Sequence, residues 1–446
     1  MLYSMKRVTA MLVLGSLTLA GLWAQQKQAE FKDRAEYDLF EQIRKEQNGN
    51  TLLGLLDQWK QKYPDSQFKD VRMSLYITAY QKLGDGKKMM QASKDLVAEF
   101  PKNFTGLYFM NLLTISLADN SPDALDTGEK AARGFLATFD EVYDKSKKPA
   151  NVSDDAWIAD RKNNEAIAYK TLGWVANERK KYDEAEANYI KVLERTPGDA
   201  QVSSLLGTAI LRQKKPEKQA AGLYSFCRAA VYEGQGALAA PNRQSLLEYV
   251  QKQYVNYHGD RTGLDEILAM AKTSPLPPAD FKIESKDEIN LKKEEEFKKT
   301  NPQLALWISI KKSLAGEGGA AYFQEVKGSE VPGGNDVAGT KVDKFKATIV
   351  SVKPARPKTT NPIKEIVVGI SSPEMSEATL RFETPVSVKA EPGMAIEFSG
   401  VPVEFAPDPF NLTFDVELEK IVGLEKVAAP KPAAPKPAAP KPAPKK

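Results

Sequence analysis

The chain has 446 residues, 42% of them hydrophobic and 27% charged: too long for one hydrophobic core, with the composition of a globular protein of two or three domains. Its formal charge of +4 comes from its ends, from Lys6 and Arg7 near the start and Lys431, Lys436, Lys441, Lys445 and Lys446 at the finish, so the body between them is net acidic. That excludes a body built to hold phosphate backbones, while a single cysteine (Cys227) and a single histidine (His258) exclude an intramolecular disulfide and the usual zinc sites.

Residues 1–24 combine a positive start, an apolar run from Val8 to Leu22 and a small residue, Ala24, before a polar switch. This pattern predicts a signal peptide, with a mature chain beginning at Gln25 and an exported, periplasmic or secreted location; the alternative is a retained membrane anchor. From Ala29 to Trp59 the composition is helical, interrupted at 48–50 and closed by Tyr63-Pro64. Residues 104–137 predict two more helices, the second opened by Ser121 as N-cap with Pro122 in the first helical position. A polar insertion at 144–155 is predicted to loop out.

The clearest pattern spans 166–199. Tyr169, Leu172, Gly173 and Ala176 fall on one face of a first helix, and Ala185, Tyr189 and Val192 on one face of a second. Lys180 and Lys181 form the turn between them, Asp183 with Glu186 reads as a capping pair, and Pro197 ends the hairpin. This stretch resembles the 34-residue tetratricopeptide (TPR) repeat through Tyr169, Leu172, Gly173, Ala185, Tyr189 and Pro197. One such hairpin cannot bury both its faces, so the resemblance implies stacked neighbours. Pro64 and Pro101 fit as closing prolines of earlier repeats. Leu206 and Gly207 repeat Leu172 and Gly173 at a spacing of 34, with Ala220 one residue past the expected small position, and 241–273 reads as a further pair. The array is therefore expected over 29–315, including a charged helix and a closing helix whose Leu304, Trp307, Ile308 and Ile310 would cap the last repeat.

A glycine-rich linker is expected at 316–340, followed over 341–427 by short strands with Pro or Gly turns, which predict a small all-β barrel or sandwich. The segments around Thr379–Phe382 and Glu391–Gly400 resemble an OB-fold, which implies a ligand-binding face, although the segment's slightly acidic balance disfavours nucleic acid. Residues 428–446, rich in Ala, Pro and Lys, predict a disordered, extended tail, with a cell wall or anionic membrane surface as a partner it suits.

No Walker loop, GxSxG elbow, HExxH or CxxC occurs, so no catalytic, metal or cofactor site is expected. The TPR resemblance places partner binding on the concave face, where register puts Lys170, Trp174, Asn177, Thr208 and Arg212. The expected function is a non-enzymatic scaffold for a protein or peptide. Two alternatives stand beside it: an envelope-assembly or anchoring factor held by the tail, and an OB-like ligand binder positioned by the repeats.

Overall fold

A computed structural model describes residues 30–427, so the signal-peptide reading of 1–24 and the tail reading of 428–446 lie outside the described residues. The chain divides into two compact units between Lys286 and Asp287.

The first unit is a TPR-type helical solenoid. Its helices pair in sequence order: α1 (Arg34–Lys45) with α2 (Gly49–Lys62), α3 (Lys69–Lys82) with α4 (Gly86–Glu99), and α5 (Phe104–Leu117) with α6 (Pro122–Leu136). After the short α7 (Phe139–Val142) come α8 (Asp154–Glu178) with α9 (Tyr182–Arg195), then α10 (Ala200–Arg212) with α11 (Gln219–Val231), and lastly α12 (Ala240–His258) and α13 (Leu264–Thr273). Side-chain caps set many of the starts: Asn48, Asn103, Ser121, Ser153 and Asp199 each accept hydrogen bonds from backbone amides of the first turn that the helix itself leaves unpaired. The core is a series of local clusters handed from one pair to the next, centred on Trp59, Leu96, Phe135, Tyr189 and Tyr224. Each helical face is buried by its sequence neighbours, as stacking of incomplete hairpins requires.

Glycine fixes how close the paired helices come. A Cβ on Gly173 would lie 2.5 Å from the Tyr189 ring, and one on Gly207 would lie 2.9 Å from the Phe226 ring. The Leu-Gly pairs 34 residues apart thus perform the same task, but the aromatic they admit has moved from 16 to 19 residues downstream. A three-residue 3₁₀ turn, Pro216–Lys218, accounts for the shift. With those residues added, Gly222 rather than Ala220 stands where Ala185 stands in the preceding hairpin, and its missing Cβ makes room for Leu211.

Two sequence expectations change in this unit. The segment 144–155 loops out only in part: Ser153 caps α8, and about three helical turns precede Ala166, with Trp157 packed 4.9 Å from the Tyr143 ring. Asp183 and Glu186 do not cap α9, which starts at Tyr182 after Lys180 takes a left-handed φ of 61°. Glu186 instead accepts hydrogen bonds from Gln213 and Lys218 of the next hairpin, a tertiary demand that no local pattern announces.

The second unit begins with the highly charged α14 (Lys286–Thr300), which has no buried residue, then α15 (Pro302–Ala315) and α16 (Gly319–Val326). A hairpin of β1 (Asn335–Val337) and β2 (Thr340–Val342) follows. The main sheet is built from β3 (Phe345–Pro354), β4 (Ile363–Gly369), β5 (Ala378–Val386), then, after the short β6 (Val388–Lys389), β7 (Ala395–Phe398), β8 (Val401–Pro407), β9 (Phe410–Asp415) and β10 (Ile421–Val422). The last strand, β11 (Glu425–Lys426), pairs with β6. β3, β4 and β5 form an antiparallel meander, β9 runs parallel to β5, and β8 returns antiparallel to β9. Only Ser399 and Gly400 separate β8 from β7, and β7 pairs with β3. One bent run thus pairs with β3 through β7 and with β9 through β8, on opposite sides of the β3–β4–β5–β9 arrangement. Gly400 sits at that bend, where a Cβ would lie 2.6 Å from Val416.

A single core fills this unit: Phe345, Ile366, Leu380, Phe398 and Phe414 point inward at alternating positions, and Trp307 of α15 enters with them, fully buried against Phe345 and Phe414. Lys311, one helical turn on, pairs at 2.7 Å with Glu377, whose carboxylate also accepts hydrogen bonds from Ile370 N, Ser371 N and Ser371 Oγ. The domain organisation differs from the expected one. The boundary falls at 286/287 rather than in 316–340, because Trp307 and Ile310 bury in the β core instead of capping the repeats, while Ile308 stays exposed. The stretch read as a linker folds into α16 and the β1–β2 hairpin.

Candidate functional site

The predicted partner-binding residues lie on the first helices of two successive hairpins, α8 and α10. Asp199 organises the contact between them. Its Oδ1 caps α10 by accepting from Val202 N at 3.0 Å, and its Oδ2 accepts from Lys170 Nζ at 3.0 Å; Lys170 also donates to Gln201 Oε1 at 3.2 Å. The lysine charge is therefore engaged by the neighbouring helix, half-buried rather than held free. Further along, Arg212 donates to Asn177 Oδ1 at 3.3 Å and rests 5.8 Å over the Tyr182 ring, while Asn177 donates to Glu178. Thr208 returns its hydroxyl proton to Ser204 O within its own helix.

The structure thus bonds Asn177 to Arg212 directly and ties Lys170 to the start of α10. Trp174 lies between Lys170 and Asn177 along the same helix, half-buried, and joins neither of the hydrophobic clusters that flank α8. An aromatic of that size left out of both adjoining cores keeps apolar surface for another use.

Leu172, Ala185, Tyr189 and Leu206 are buried. Tyr169 packs its ring beneath Lys191 and Arg195, with the Arg195 guanidinium 4.5 Å from the ring centre. Pro197 offers its carbonyl to Arg228 Nη2 at 3.0 Å.

That arginine is one the sequence does not point to. Arg228, almost wholly buried in α11, also donates to Ala271 O and Lys272 O and lies 3.9 Å over the Tyr232 ring, so it joins the loop after α9 to the end of α13. Arg72 does the same earlier in the array, donating to Tyr63 O and Pro64 O beneath Trp59. Both hold a carbonyl at or beside a closing proline. Their partners meet only through the fold, which is why the sequence gives no signal beyond the prolines themselves.

The two residues with chemical potential are structural in character. Cys227 is buried, and desolvation pushes its thiol up to about 12, so the nucleophilic thiolate is scarce at neutral pH. His258 closes α12, with Nδ1 2.8 Å from Glu284 O. Among the described residues, no group of three or more His, Cys, Asp or Glu is arranged to hold a metal, and no helix is long and apolar enough to cross a membrane.

No protein-family model matches the sequence, and no curated protein matches it significantly. Among solved structures, the chain is similar to a thermophilic TPR protein of Thermus thermophilus, at 16% identity over 49% of this chain and 95% of that one, with a TM-score of 0.25. It is also similar to a tetratricopeptide repeat protein from Parabacteroides merdae, at 13% identity over 54% of this chain and 91% of that one, with a TM-score of 0.28. The solenoid assignment rests on this chain's own geometry: paired helices, closing prolines and the Gly173–Tyr189 and Gly207–Phe226 contacts.

Proposed function

We propose that this protein is an exported, non-enzymatic scaffold whose helical repeats bind a protein or peptide across the face formed by α8 and α10. The observation that carries the reading is Trp174: a half-buried indole outside both adjoining cores, flanked along α8 by Lys170 and by Asn177, which bonds Arg212. Aromatic anchors, Trp and Tyr above all, are enriched among binding hot spots. Export rests on the sequence of residues 1–24, and the basic residues 428–446 suit an envelope surface as a second attachment.

The decisive experiment recovers the partner by crosslinking from the exported fraction, then measures its affinity for wild type and Trp174→Ala alongside the melting temperature of each. Loss of a central aromatic anchor costs about 2 kcal/mol or more of binding, roughly a thirtyfold drop in affinity, with the helical signal retained. Unchanged affinity with a lowered melting temperature makes Trp174 a packing residue and removes the site.

A second reading is favoured by the strand order. The β3–β5 meander, the parallel pairing of β5 with β9 and the bent β7–β8 run that pairs with both β3 and β9 resemble the strand pairing of an OB-type barrel, a fold that often binds oligomeric ligands on one face. In that reading, the β unit carries ligand and the repeats position it.

A further inference from the structure

The last two helices of the first unit are not paired like the others. α12 and α13 each pack on α11 rather than closely on one another, and the space between them is a groove of about 460 Å³. Ala230 and Val231 of α11 line it together with Leu247 of α12 and Leu268 of α13, and Arg243 and Lys272 add two cations. Its volume falls in the range of about 300 to 1,000 Å³ that small-ligand sites occupy, too small for a folded partner.

The cations already hold a carboxylate. Glu233, itself largely exposed, receives Arg243 Nη1 at 3.1 Å on one oxygen and Lys272 Nζ at 3.0 Å on the other, and hydrogen bonds from Lys272 and Arg243 keep its carboxyl below the usual range. Arg243 is not satisfied by this arrangement. Nη1 also reaches Tyr232 O at 3.4 Å, but Nε, shielded from solvent, has no acceptor. A buried guanidinium donor left unpaired is costly, and a guanidinium matches a carboxylate best through two parallel N–H donors. Glu233 follows α11 with its side chain more than half exposed, so an incoming carboxylate that displaced it into solvent would meet both cations.

We propose that this groove binds a carboxylate carried on an aliphatic body, with the carboxylate replacing Glu233 between Arg243 and Lys272 and the aliphatic part lying over Ala230, Leu247 and Leu268. Two sources share that chemistry: the carboxyl terminus of a peptide ending in an aliphatic residue, and a free aliphatic carboxylic acid. The site uses none of the residues of the α8–α10 face.

The test titrates the full chain by calorimetry with three probes: acetyl-Ala-Ala-Leu with a free carboxylate, the same peptide as its terminal amide, and hexanoate. The free-acid peptide or hexanoate binds, and the amide binds at least roughly tenfold more weakly than its acid, the loss expected for a charge-assisted pair. The stronger of the two carboxylates identifies the source. Arg243→Gln weakens that binding by about tenfold as well. Ala269→Trp, at an exposed position lining the groove, fills it and abolishes binding while leaving the melting temperature within a degree or two of wild type. Trp174→Ala leaves it unchanged, which separates this site from the scaffold face. Failure of both carboxylates to bind at millimolar concentration, equal binding of acid and amide, or binding that survives Ala269→Trp overturns the proposal.

Discussion

The helical unit and the β unit bury similar kinds of residue in opposite ways. In the helices, the buried aromatics belong to clusters made by neighbouring hairpins: Tyr189 meets Gly173 sixteen residues earlier, and Phe226 meets Gly207 nineteen earlier. In the β unit a single core gathers Phe345, Phe398 and Phe414 from strands far apart and takes Trp307 from a helix before them all. Burial shared among nearest neighbours tolerates insertions, as the 3₁₀ turn at 216–218 shows by sliding one helix three residues without loss of the glycine–aromatic contact. A closed core has no such slack, and every strand and α15 must be present together.

The largest expected effect tests that contrast directly. Trp307→Ala removes the most voluminous side chain of the β core and should cost about 3 to 5 kcal/mol there. Calorimetry should show the β unit's transition falling while the helical unit's stays in place. A fall in the helical transition instead would mean that α15 serves the repeats. Next in size is Gly173→Leu, which drives a side chain into the Tyr189 ring and should destabilise the helical unit by about 1 to 3 kcal/mol. Its effect on hydrogen exchange should be concentrated in α8, α9 and their immediate neighbours; uniform loss of protection across all the helices would contradict the local-cluster account.

The smallest effect is electrostatic and belongs to the β unit. Burial pushes the Glu377 carboxyl up, but hydrogen bonds from Lys311, Ser371 and Ile370 outweigh it and hold the group below its ordinary value. A depressed folded-state pKa adds stability above the unfolded value, and that stability is lost as pH falls through the folded one. Acid titration of the melting temperature should therefore show the β unit weakening below the ordinary carboxylate range of about pH 4. Glu377→Gln, less stable at neutral pH, should show a flatter acid limb. An unchanged acid limb would mean that other carboxylates govern it.

How far the sequence could be read follows the same division. The hairpin at 166–199 was legible because Tyr169, Leu172, Gly173, Ala185 and Tyr189 lie within one repeat length, where helical periodicity and the glycine signal are both local. The strands were legible one at a time through alternation, yet their closure was not, because the parallel β5–β9 pairing and the bend at Ser399-Gly400 join residues by register rather than pattern. The candidate face was half legible. Register put Lys170, Trp174, Asn177, Thr208 and Arg212 on consecutive first helices, but nothing local said that Asp199 would take the Lys170 charge or that Arg212 would reach Asn177.

The sequence by itself determined the helical hairpins, their glycine contacts, their closing prolines and the presence of a β-rich second unit, since each is encoded within a few tens of neighbouring residues. Only the tertiary structure decided where one unit ends. LALWISIKKSLAG reads equally well as a cap for a helical stack and as a plug for a barrel, because an amphipathic helix specifies that it must bury a face and not against what. The β core supplied the answer: Trp307 stands among Phe345, Phe410 and Phe414, and Lys311 on the same helix meets Glu377.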